Sequence, residues 1–372
     1  YRLGPLTKRL TGGELPTVYT VDLRQELQEG NRSIFSRKLQ ELMTDRLNKG
    51  QQTILFLNRR GYAGFVSCRS CGEVMKCPHC DVSLSEHKGG RLICHYCGYT
   101  QPMPKLCPKC GSKYILGFKA GTQQIEEKLK ELYPGVRTLR MDADTTRTKD
   151  SYEKILSSFA NGEADVLIGT QMIVKGHDFP KVTLVGILAA DLSLNASDYR
   201  AGERTFQLLT QAVGRAGRGV LPGEAVIQTY QPDHYAITCA AAQDYESFYQ
   251  EEILYRELSG YPPVAHMLAV QIYGKEEENV KQLALRLTDV VKSNMDFLSG
   301  KQKEQSNKKI QVLGPAPANI SKINDIYRYV FYVKHAEYDV LVEVKDRLEE
   351  TLRQWQSRQM SIQFDFDPVS VL

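Results

Sequence analysis

Between residues 17 and 230, short apolar runs alternate with stretches in which apolar residues recur every three or four positions. The apolar runs predict buried strands, because strands covered on both faces carry few polar side chains. These predicted strands span 17–23, 53–58, 136–141, 164–170, 182–188 and 224–230. The amphipathic stretches predict helices at 36–50, 122–135, 149–162 and 200–219. Alternation of this kind favours an α/β fold with a doubly wound, mostly parallel sheet.

Two regions depart from this alternation. Residues 67–114 are rich in cysteine and lack apolar periodicity, which indicates an insertion after the strand at 53–58. Beyond residue 230 the pattern predicts a linking helix at 243–258. The following elements are predicted as strand 264–273, helix 276–297, strands 310–313 and 326–334, helix 337–356 and strand 361–366. That β-α-β-β-α-β order is typical of an α+β, ferredoxin-like domain.

These patterns divide the chain into four regions. We expect one α/β domain from 1–66 and 115–230, an insertion at 67–114, a linker at 231–262 and a second domain at 263–372.

Composition narrows the class of protein. Hydrophobic residues make up 42% and charged residues 25% of the 372 positions, the balance of a soluble globular protein. The longest apolar run, near 182–190, is too short to cross a membrane, so no membrane partner is expected. The net charge of +4 is mild. If eight of the cysteines bind two zinc ions as thiolates, each site carries a charge of −2, and the two sites together cancel the +4. Any contact with DNA must therefore come from local basic patches.

Eight of the nine cysteines form four C-x-x-C pairs. Each such turn can present two thiolates to one metal ion, so four pairs predict two closed, structural Zn²⁺ sites. The alternatives are disulfides or an iron–sulfur cluster. A clustered set of cysteines also favours a reducing, cytoplasmic location, and the remaining Cys239 is expected to be a buried structural thiol. The predicted ligands are Cys68, Cys71, Cys77, Cys80, Cys94, Cys97, Cys107 and Cys110.

The spacing leaves sequential, crossed and nested groupings of the four pairs open. We favour the nested grouping, in which one site holds Cys77, Cys80, Cys94 and Cys97 around a hairpin. The other site, made of Cys68, Cys71, Cys107 and Cys110, would then close the insertion where it leaves the surrounding fold. His79, His87 and His95 lie nearby, but eight thiolates already fill two sites.

The insertion is also basic. Residues 68–113 contain seven Lys or Arg against three acidic residues. This excess indicates either an ordinary solvated surface or contact with nucleic acid or a partner protein.

A second cluster of polar residues follows the predicted strand at 164–170. The segment "GTQMIVKGHDFP" carries Thr170, Gln171, Gly176 and Asp178. Open α/β sheets bind ligands at the carboxyl ends of their strands, so this loop is a candidate site. The alternative is an ordinary polar loop.

The segment "QAVGRAGRG" places Gln211, Arg215 and Arg218 at the end of the helix predicted at 200–219. Arginines three positions apart on a helix project to nearly the same side. Guanidinium groups so placed can stabilise a phosphoryl group during its transfer. The alternative is a basic helix C-terminus stabilised by the helix dipole.

The order of these motifs resembles the PriA family of bacterial replication-restart helicases, within the superfamily-two DNA helicases. The resemblance spans nearly the whole chain, and four inserted C-x-x-C pairs are its most distinctive feature. The matching segments are "LFLNRRGY", "GTQQIEE", "GTQMIVKGHDFP", "QAVGRAGRG", "SGYPP" and "GPAPANISKINDIYRY".

The resemblance implies a fold and a set of roles. Residues 1–66 and 115–230 would form the second RecA-like motor lobe, with the two zinc sites nested in the insertion and a DNA-binding domain at 263–372. By this resemblance Gln211, Arg215 and Arg218 would act on ATP held by the first lobe, with Gly176 and Asp178 near the nucleotide. Candidate DNA contacts would be Thr170, Gln171, Lys322, Tyr327 and Arg328, although Tyr327 suits a core position equally well.

The function implied is an ATP-dependent 3′-to-5′ DNA helicase at stalled or branched forks. Its cofactors would be two structural Zn²⁺, ATP and Mg²⁺. Its partners would be branched and single-stranded DNA, single-stranded-DNA-binding protein, and primosome and helicase-loader proteins, with the chain a monomer.

One departure from the family pattern qualifies this expectation. The sequence has no G-x-x-x-x-G-K-[ST] phosphate loop and no Asp-Glu dipeptide to hold Mg²⁺. We therefore expect the C-terminal half of a longer helicase, inactive alone. The alternative is a non-enzymatic, zinc-containing module that docks DNA or protein.

Overall fold

The computed structural model describes residues 14–57, 66–79, 83–87, 90–94, 97–117, 121–142, 145–146, 149–174, 178–194, 198–293, 309–353 and 360–369. Within this part of the chain, no helix is long and apolar enough to cross a membrane.

A six-stranded sheet, the first sheet, forms the centre of the N-terminal part. Its strands are β1 (Thr17–Asp22), β2 (Gln52–Leu57), β8 (Thr138–Met141), β9 (Val166–Gly169), β10 (Val182–Leu188) and β11 (Glu224–Thr229). They lie in the order β1-β11-β10-β2-β9-β8, and every neighbouring pair is parallel. Both β2 and β10 are buried at every position, because helices cover both faces of the sheet.

The helices of this α/β lobe divide between the two faces. They are α1 (Leu23–Gln28), α2 (Arg37–Asn48), α3 (Thr122–Leu132), α4 (Lys149–Ala160), α5 (Asp191–Leu194) and α6 (Ala201–Val213). The apolar sides of α2 and α3 share one core cluster. The apolar sides of α4 and α6 share the other.

The helix predicted at 200–219 is shorter than expected. It ends at Val213 with Gly214 as its C-cap, so Arg215 and Arg218 lie in the turn beyond it. Gly217 adopts a φ of +66°, which a helix cannot continue through. The expectation that these two arginines share one side of a helix is therefore wrong.

The cysteine-rich insertion leaves the lobe after β2 and returns before α3. At its base β3 (Val66–Cys68) pairs antiparallel with β7 (Ile115–Gly117). Inside it, β4 (Ser85–His87), β5 (Arg91–Ile93) and β6 (Thr100–Pro102) form a small antiparallel sheet. The β3–β7 pair closes the insertion where it joins the lobe.

The rest of the chain forms two connecting helices and a second α+β unit. The elements are α7 (Tyr235–Ala242), α8 (Tyr245–Ser259), β12 (His266–Gly274), α9 (Glu277–Ser293), β13 (Gln311–Ile323), β14 (Ile326–His335), α10 (Tyr338–Arg353) and β15 (Met360–Phe366). The strand order is β13-β14-β12-β15 with antiparallel neighbours, which is the ferredoxin-like arrangement.

Two elements of this region differ from expectation. Helix α7 was not predicted, because its small residues Ala240, Ala241 and Ala242 carry little amphipathic pattern. Strand β13 extends through Ile323, far beyond the predicted strand at 310–313, and its register with β14 shifts twice. The prolines Pro315 and Pro317 within it conceal its strand character.

The C-terminal sheet is covered on both faces. Helices α9 and α10 pack on one face. On the other face, Met267, Ala269, Val330 and Tyr332 share an apolar cluster with the cysteine-rich insertion. The insertion therefore contacts the C-terminal sheet as well as the lobe from which it emerges.

Candidate zinc centres and motor site

The structure brings the described cysteines of the insertion together in two groups. Cys68, Cys71, Cys107 and Cys110 form one group, and Cys77, Cys94 and Cys97 form the other. These are the members of the nested grouping, apart from Cys80, which lies outside the described residues. Among the described cysteines none forms a disulfide. His79 and His87 join neither group, and His95 also lies outside the described residues.

The sulfur positions fit a tetrahedral metal. The Sγ atoms of Cys68 and Cys110 are 3.6 Å apart, as are those of Cys71 and Cys107. In the second group the Sγ atoms of Cys77 and Cys97 are 3.5 Å apart. A Zn–S bond of about 2.3 Å places tetrahedral sulfurs about 3.8 Å apart. The insertion is thus a zinc-binding module. In the group of Cys68, Cys71, Cys107 and Cys110, the four sulfurs fill all four positions of a tetrahedral zinc ion.

Three of the cysteine turns share one backbone geometry. Gly72, Gly98 and Gly111 each follow the second cysteine of a pair with a positive φ. Each donates its N–H to the carbonyl of the first cysteine, at 2.8–2.9 Å. A left-handed residue at this position closes the turn so that both sulfurs face the same point. These glycines are not among the predicted site residues, although the sequence carries a signal for them, a glycine after three of the four C-x-x-C pairs.

The turn also prepares a thiolate. Burial opposes ionisation of Cys68, but N–H groups of Cys71 and Ser70 outweigh it and lower the pKa of the Cys68 thiol to about 7. Burial raises the pKa of the Cys71 thiol to about 12. Zinc binds cysteines as thiolates, so its binding to this group releases protons.

The two zinc groups contact different parts of the molecule. In the first, a Cβ at Gly72 would lie 2.5 Å from the carbonyl oxygen of Tyr230, directly after β11. Arg69 stacks over the ring of Tyr230 at 5.0 Å. In the second, a Cβ at Gly98 would lie 3.3 Å from the carbonyl oxygen of Pro315 in the C-terminal sheet. The module therefore spans from the first sheet to the C-terminal sheet.

The arginine-bearing turn lies at the amino edge of the first sheet. Gly217 donates its N–H to the carbonyl of Val182, the first residue of β10, at 3.0 Å. A Cβ at Gly219 would lie 2.5 Å from the carbonyl oxygen of Pro180. These contacts bring the segment before β10 against the turn after α6.

This close approach places Asp178 beside Arg218. Arg218 Nη1 lies 3.8 Å from Asp178 Oδ1, and Arg218 Nε donates to the carbonyl of Gly214 at 2.9 Å. Burial and the charge of Arg218 lower the pKa of the half-buried Arg215 guanidinium. Gln211 is exposed on the last turn of α6. Gly176 lies outside the described residues.

Thr170 and Gln171 lie at the opposite edge of the sheet. They follow the carboxyl end of β9, whereas Asp178 precedes the amino end of β10, which runs in the same direction. The two edges are separated by four to five residues along β2 and β10, roughly 13–17 Å at about 3.3 Å per residue. The described residues of the predicted loop site therefore fall into two places: Thr170 and Gln171 lie at the carboxyl edge, and Asp178 lies at the amino edge.

The remaining candidates lie on the hairpin between β13 and β14. Asn324 and Asp325 form its turn with φ of +48° and +60°. Lys322 Nζ lies 2.9 Å from Asp325 Oδ1 and 4.7 Å from the centre of the Tyr327 ring. Tyr327 packs partly against the core beneath the sheet, and Arg328 stacks over Tyr273 at 5.5 Å. The hairpin is basic and aromatic, but Asp325 offsets the charge of Lys322.

The class of protein follows from the parallel first sheet, the zinc-binding insertion and matches to three family models. Residues 106–220 match the family model described as "Helicase conserved C-terminal domain". Residues 77–102 match the "PriA DNA helicase Cys-rich region (CRR) domain", and residues 257–369 match the "Primosomal protein N C-terminal domain". The protein is therefore a helicase-type protein with a RecA-like lobe, a zinc-binding insertion and a ferredoxin-like C-terminal domain.

Curated relatives narrow the class to one family. The chain is 43% identical over 374 residues to replication restart protein PriA of Bacillus subtilis, covering 100% of this chain and 45% of that protein. It is 41% identical over 371 residues to the Synechocystis protein of the same name, covering 98% and 43%. The chain belongs to the family of replication restart protein PriA. It spans less than half of the length of these two relatives.

Solved structures add little to this assignment. The helicase domain of Pyrococcus furiosus Hef is similar over 55% of this chain and 27% of that chain, with 18% identity and a TM-score of 0.24. This likeness is too weak to bear on the fold.

Proposed function

We propose that the chain supplies the second motor lobe, the zinc module and the C-terminal domain of an ATP-dependent 3′-to-5′ DNA helicase that restarts replication at stalled or branched forks. The observation that carries the proposal is the arginine turn. Arg218 is held at the edge of the sheet by the Gly214 carbonyl and by Asp178, and the glycines around it allow the close backbone contacts. Its side chain is 38% exposed and can reach a ligand outside the lobe.

In this proposal another lobe of the intact helicase holds the nucleotide. The nucleotide is ATP with Mg²⁺, and its terminal phosphoryl group is the one that is hydrolysed. Arg215 and Arg218 stabilise the charge that develops on that group, with Gln211 beside them. Asp178 holds Arg218 until a phosphate oxygen takes its place, and Gly176 lies near the nucleotide. The role of the arginines is to couple hydrolysis to movement between lobes.

The DNA contacts in this proposal lie elsewhere on the molecule. Thr170 and Gln171 at the carboxyl edge hold the backbone of the tracked strand. Lys322, Tyr327 and Arg328 on the β13–β14 hairpin meet the branched DNA by phosphate contact and stacking. Single-stranded-DNA-binding protein and the primosome and helicase-loader proteins are the proposed protein partners of a monomer.

The zinc ions are structural in this proposal. Cys68, Cys71, Cys107 and Cys110 hold one, and Cys77, Cys80, Cys94 and Cys97 hold the other. Four thiolates fill the coordination sphere of each zinc ion and leave no position for a substrate. The zinc ions therefore hold the backbone in place and take no part in a reaction. Thiolate sites of this kind persist in a reducing compartment, and we place the protein in the cytoplasm.

The test is DNA-stimulated ATPase activity. We expect strong fork-DNA-stimulated activity from the intact protein and none from the 372-residue chain alone. Arg218→Ala in the intact protein should lower kcat by about 10³-fold or more, the effect of losing an arginine finger. Arg137→Ala is the matched control, since Arg137 is an exposed arginine of the same lobe paired with Asp165.

Two results would contradict the proposal. Substantial ATPase activity from this chain alone would show that it holds its own nucleotide. Full activity in Arg218→Ala would remove the arginine from the reaction.

A second function is favoured by one observation. The zinc module contacts both the first sheet and the C-terminal sheet, and the sequence lacks a phosphate loop. By itself the chain would then act as a non-enzymatic platform that docks DNA or protein. Binding of fork DNA by the chain without ATP hydrolysis is the expected result.

A further inference from the structure

One turn of the zinc module carries exposed lysines together with an exposed leucine and an exposed tyrosine. This knuckle surface comprises residues 105–114, with the sequence KLCPKCGSKY. Lys105, Lys109 and Lys113 are all exposed, and the segment contains no acidic residue. Leu106 is 58% exposed and Tyr114 is 54% exposed. Exposed apolar and aromatic side chains that lie together on one turn are a feature of interaction sites.

The backbone of the knuckle surface is fixed from both sides. Cys107 donates its N–H to the carbonyl of Ser112 at 2.8 Å, and Arg69 donates its N–H to the carbonyl of Tyr114 at 2.9 Å. The hydroxyls of Ser70 and Ser112 lie 2.8 Å apart. A ligand that met this surface would therefore meet a preorganised platform, with little loss of backbone entropy.

The knuckle surface belongs to the carboxyl edge of the first sheet. Its zinc partners Cys68 and Cys71 flank the turn that contacts Tyr230, directly after β11. Thr170 and Gln171 lie at the same edge, after β9. Strands β10 and β2 separate β11 from β9, so the two places are three strand spacings apart, about 14 Å.

We propose that a single strand of DNA held at Thr170 and Gln171 continues across the carboxyl edge onto the knuckle surface. There Tyr114 stacks on a base, Leu106 packs against the same base or its sugar, and Lys105, Lys109 and Lys113 contact phosphates. The proposal rests on the proposed function and names a further part of its DNA path. Stacking tolerates any base, so this contact is independent of sequence.

Charge favours a polyanion at this surface. A zinc ion with four thiolates carries two negative charges, and Glu73 lies 3.3 Å from Lys109 Nζ. Three lysines on the turn, with Arg69 beside it, still leave the surface positive. An exposed tyrosine beside lysines suits single-stranded nucleic acid, which presents flat bases and phosphates together.

The test is equilibrium binding of a fluorescent oligothymidylate to the zinc-loaded 372-residue chain across a range of salt concentrations. Tyr114→Ala should weaken binding about tenfold, and Tyr114→Phe should restore it, because the ring provides the contact. Replacing Lys105, Lys109 and Lys113 together by Gln should lower the slope of log K against log salt by about 2, at ~0.7 for each lost phosphate contact.

Matched controls lie elsewhere on the chain. Tyr249→Ala removes a tyrosine of similar exposure on α8, and Lys49, Lys128 and Lys281 changed together to Gln remove three exposed lysines. Neither control should change the affinity or the salt slope by as much as the corresponding knuckle variant. All variants should retain two zinc ions by native mass spectrometry.

Two outcomes would overturn the inference. Unchanged affinity and salt slope in both knuckle variants would place the strand elsewhere. A loss confined to the lysine variant, with Tyr114→Ala unchanged, would show that the lysines attract the phosphates by charge alone and that no base stacks on this surface. Neither outcome bears on the proposed role of the arginine turn. If that role were wrong, the ATPase activity of Arg218→Ala in the intact protein would show it.

Discussion

Glycines control the position of Arg218 more directly than any contact of its own side chain. Gly217 has φ +66°, and a Cβ there would collide with the backbone nitrogen of Gly223. Gly219 packs in the same way on the carbonyl of Pro180, which brings Asp178 to the arginine. The turn is held by backbone packing, and only glycine leaves room for it.

This packing predicts how much stability the chain loses when a single methyl group is added at Gly217. Gly217→Ala should lower the free energy of unfolding by about 2–3 kcal/mol, through left-handed strain and the collision with Gly223. Gly135→Ala is the matched control, since Gly135 has φ +88° with open space around it. Its cost should be only the strain, about 1 kcal/mol. Urea unfolding measures both, and equal losses in the two variants would show that the contact with Gly223 is unimportant.

At the scale of elements, the C-x-x-C-G turn is the repeated unit of the insertion. Cys68, Cys94 and Cys107 each begin such a turn, with a glycine closing it. The short strands between the turns contain three residues each and bury little apolar surface. Zinc must therefore supply much of the free energy that folds this region, as in other small metal-held domains.

Removal of single ligands tests how the turns are grouped. Cys110→Ser should reduce the zinc content from two ions to one and leave the Cys77, Cys94 and Cys97 group protected from thiol reagents. Cys77→Ser should leave the other group protected in the same way. Cys239→Ser is the matched control and should retain both ions, because Cys239 is buried in α7 away from either group. Reaction of Cys94 in Cys110→Ser would contradict the nested grouping.

At the scale of the molecule, a buried charged network joins the lobe to the C-terminal domain. Arg256 of α8 is 4% exposed and pairs with Glu252 and with Glu203 of α6. Burial opposes ionisation of Glu203, but Arg200 and Arg256 outweigh it and lower the pKa of that carboxyl. Arg256 also stacks over Tyr199 at 4.9 Å.

The network continues into the C-terminal sheet. The rings of Tyr199 and Tyr261 stack with their centres 4.8 Å apart. Lys334 Nζ lies 4.1 Å from the centre of the Tyr261 ring. Lys334 belongs to β14, so the stack runs from the motor lobe to the C-terminal sheet. Because α6 ends beside the arginine turn, the domain junction and the arginine turn share one helix.

Breaking this network should destabilise the whole chain. Arg256→Met leaves the buried Glu252 without its cation and removes one of the two cations that pair with the half-buried Glu203, so the free energy of unfolding should fall by about 3–5 kcal/mol. Arg200→Met is the matched control, because it removes a more exposed partner of the same Glu203 and should cost about 1 kcal/mol or less. Chemical unfolding of both variants measures the difference. A loss below 1 kcal/mol in Arg256→Met would mean that the junction does not depend on this network.

The sequence by itself determined what depends on local chemistry. Alternating apolar runs predicted the parallel sheet, since a strand covered on both faces must be apolar throughout, and the C-x-x-C spacing predicted thiolate clusters. The β-α-β-β-α-β order likewise predicted the ferredoxin-like domain. The end of α6 was missed, because an arginine-rich continuation of an amphipathic pattern conceals the break made by Gly214 and Gly217.

Only the tertiary structure decided how these parts meet. Asp178 and Arg218 pair because Pro180 and Gly219 approach closely, while Thr170 falls at the other edge. Contact of the zinc module with both sheets, and the stack through Tyr199 and Tyr261, join residues far apart in the chain. Periodicity records which side of an element is buried, but not which other element buries it, because that depends on strand order and on packing across the whole molecule.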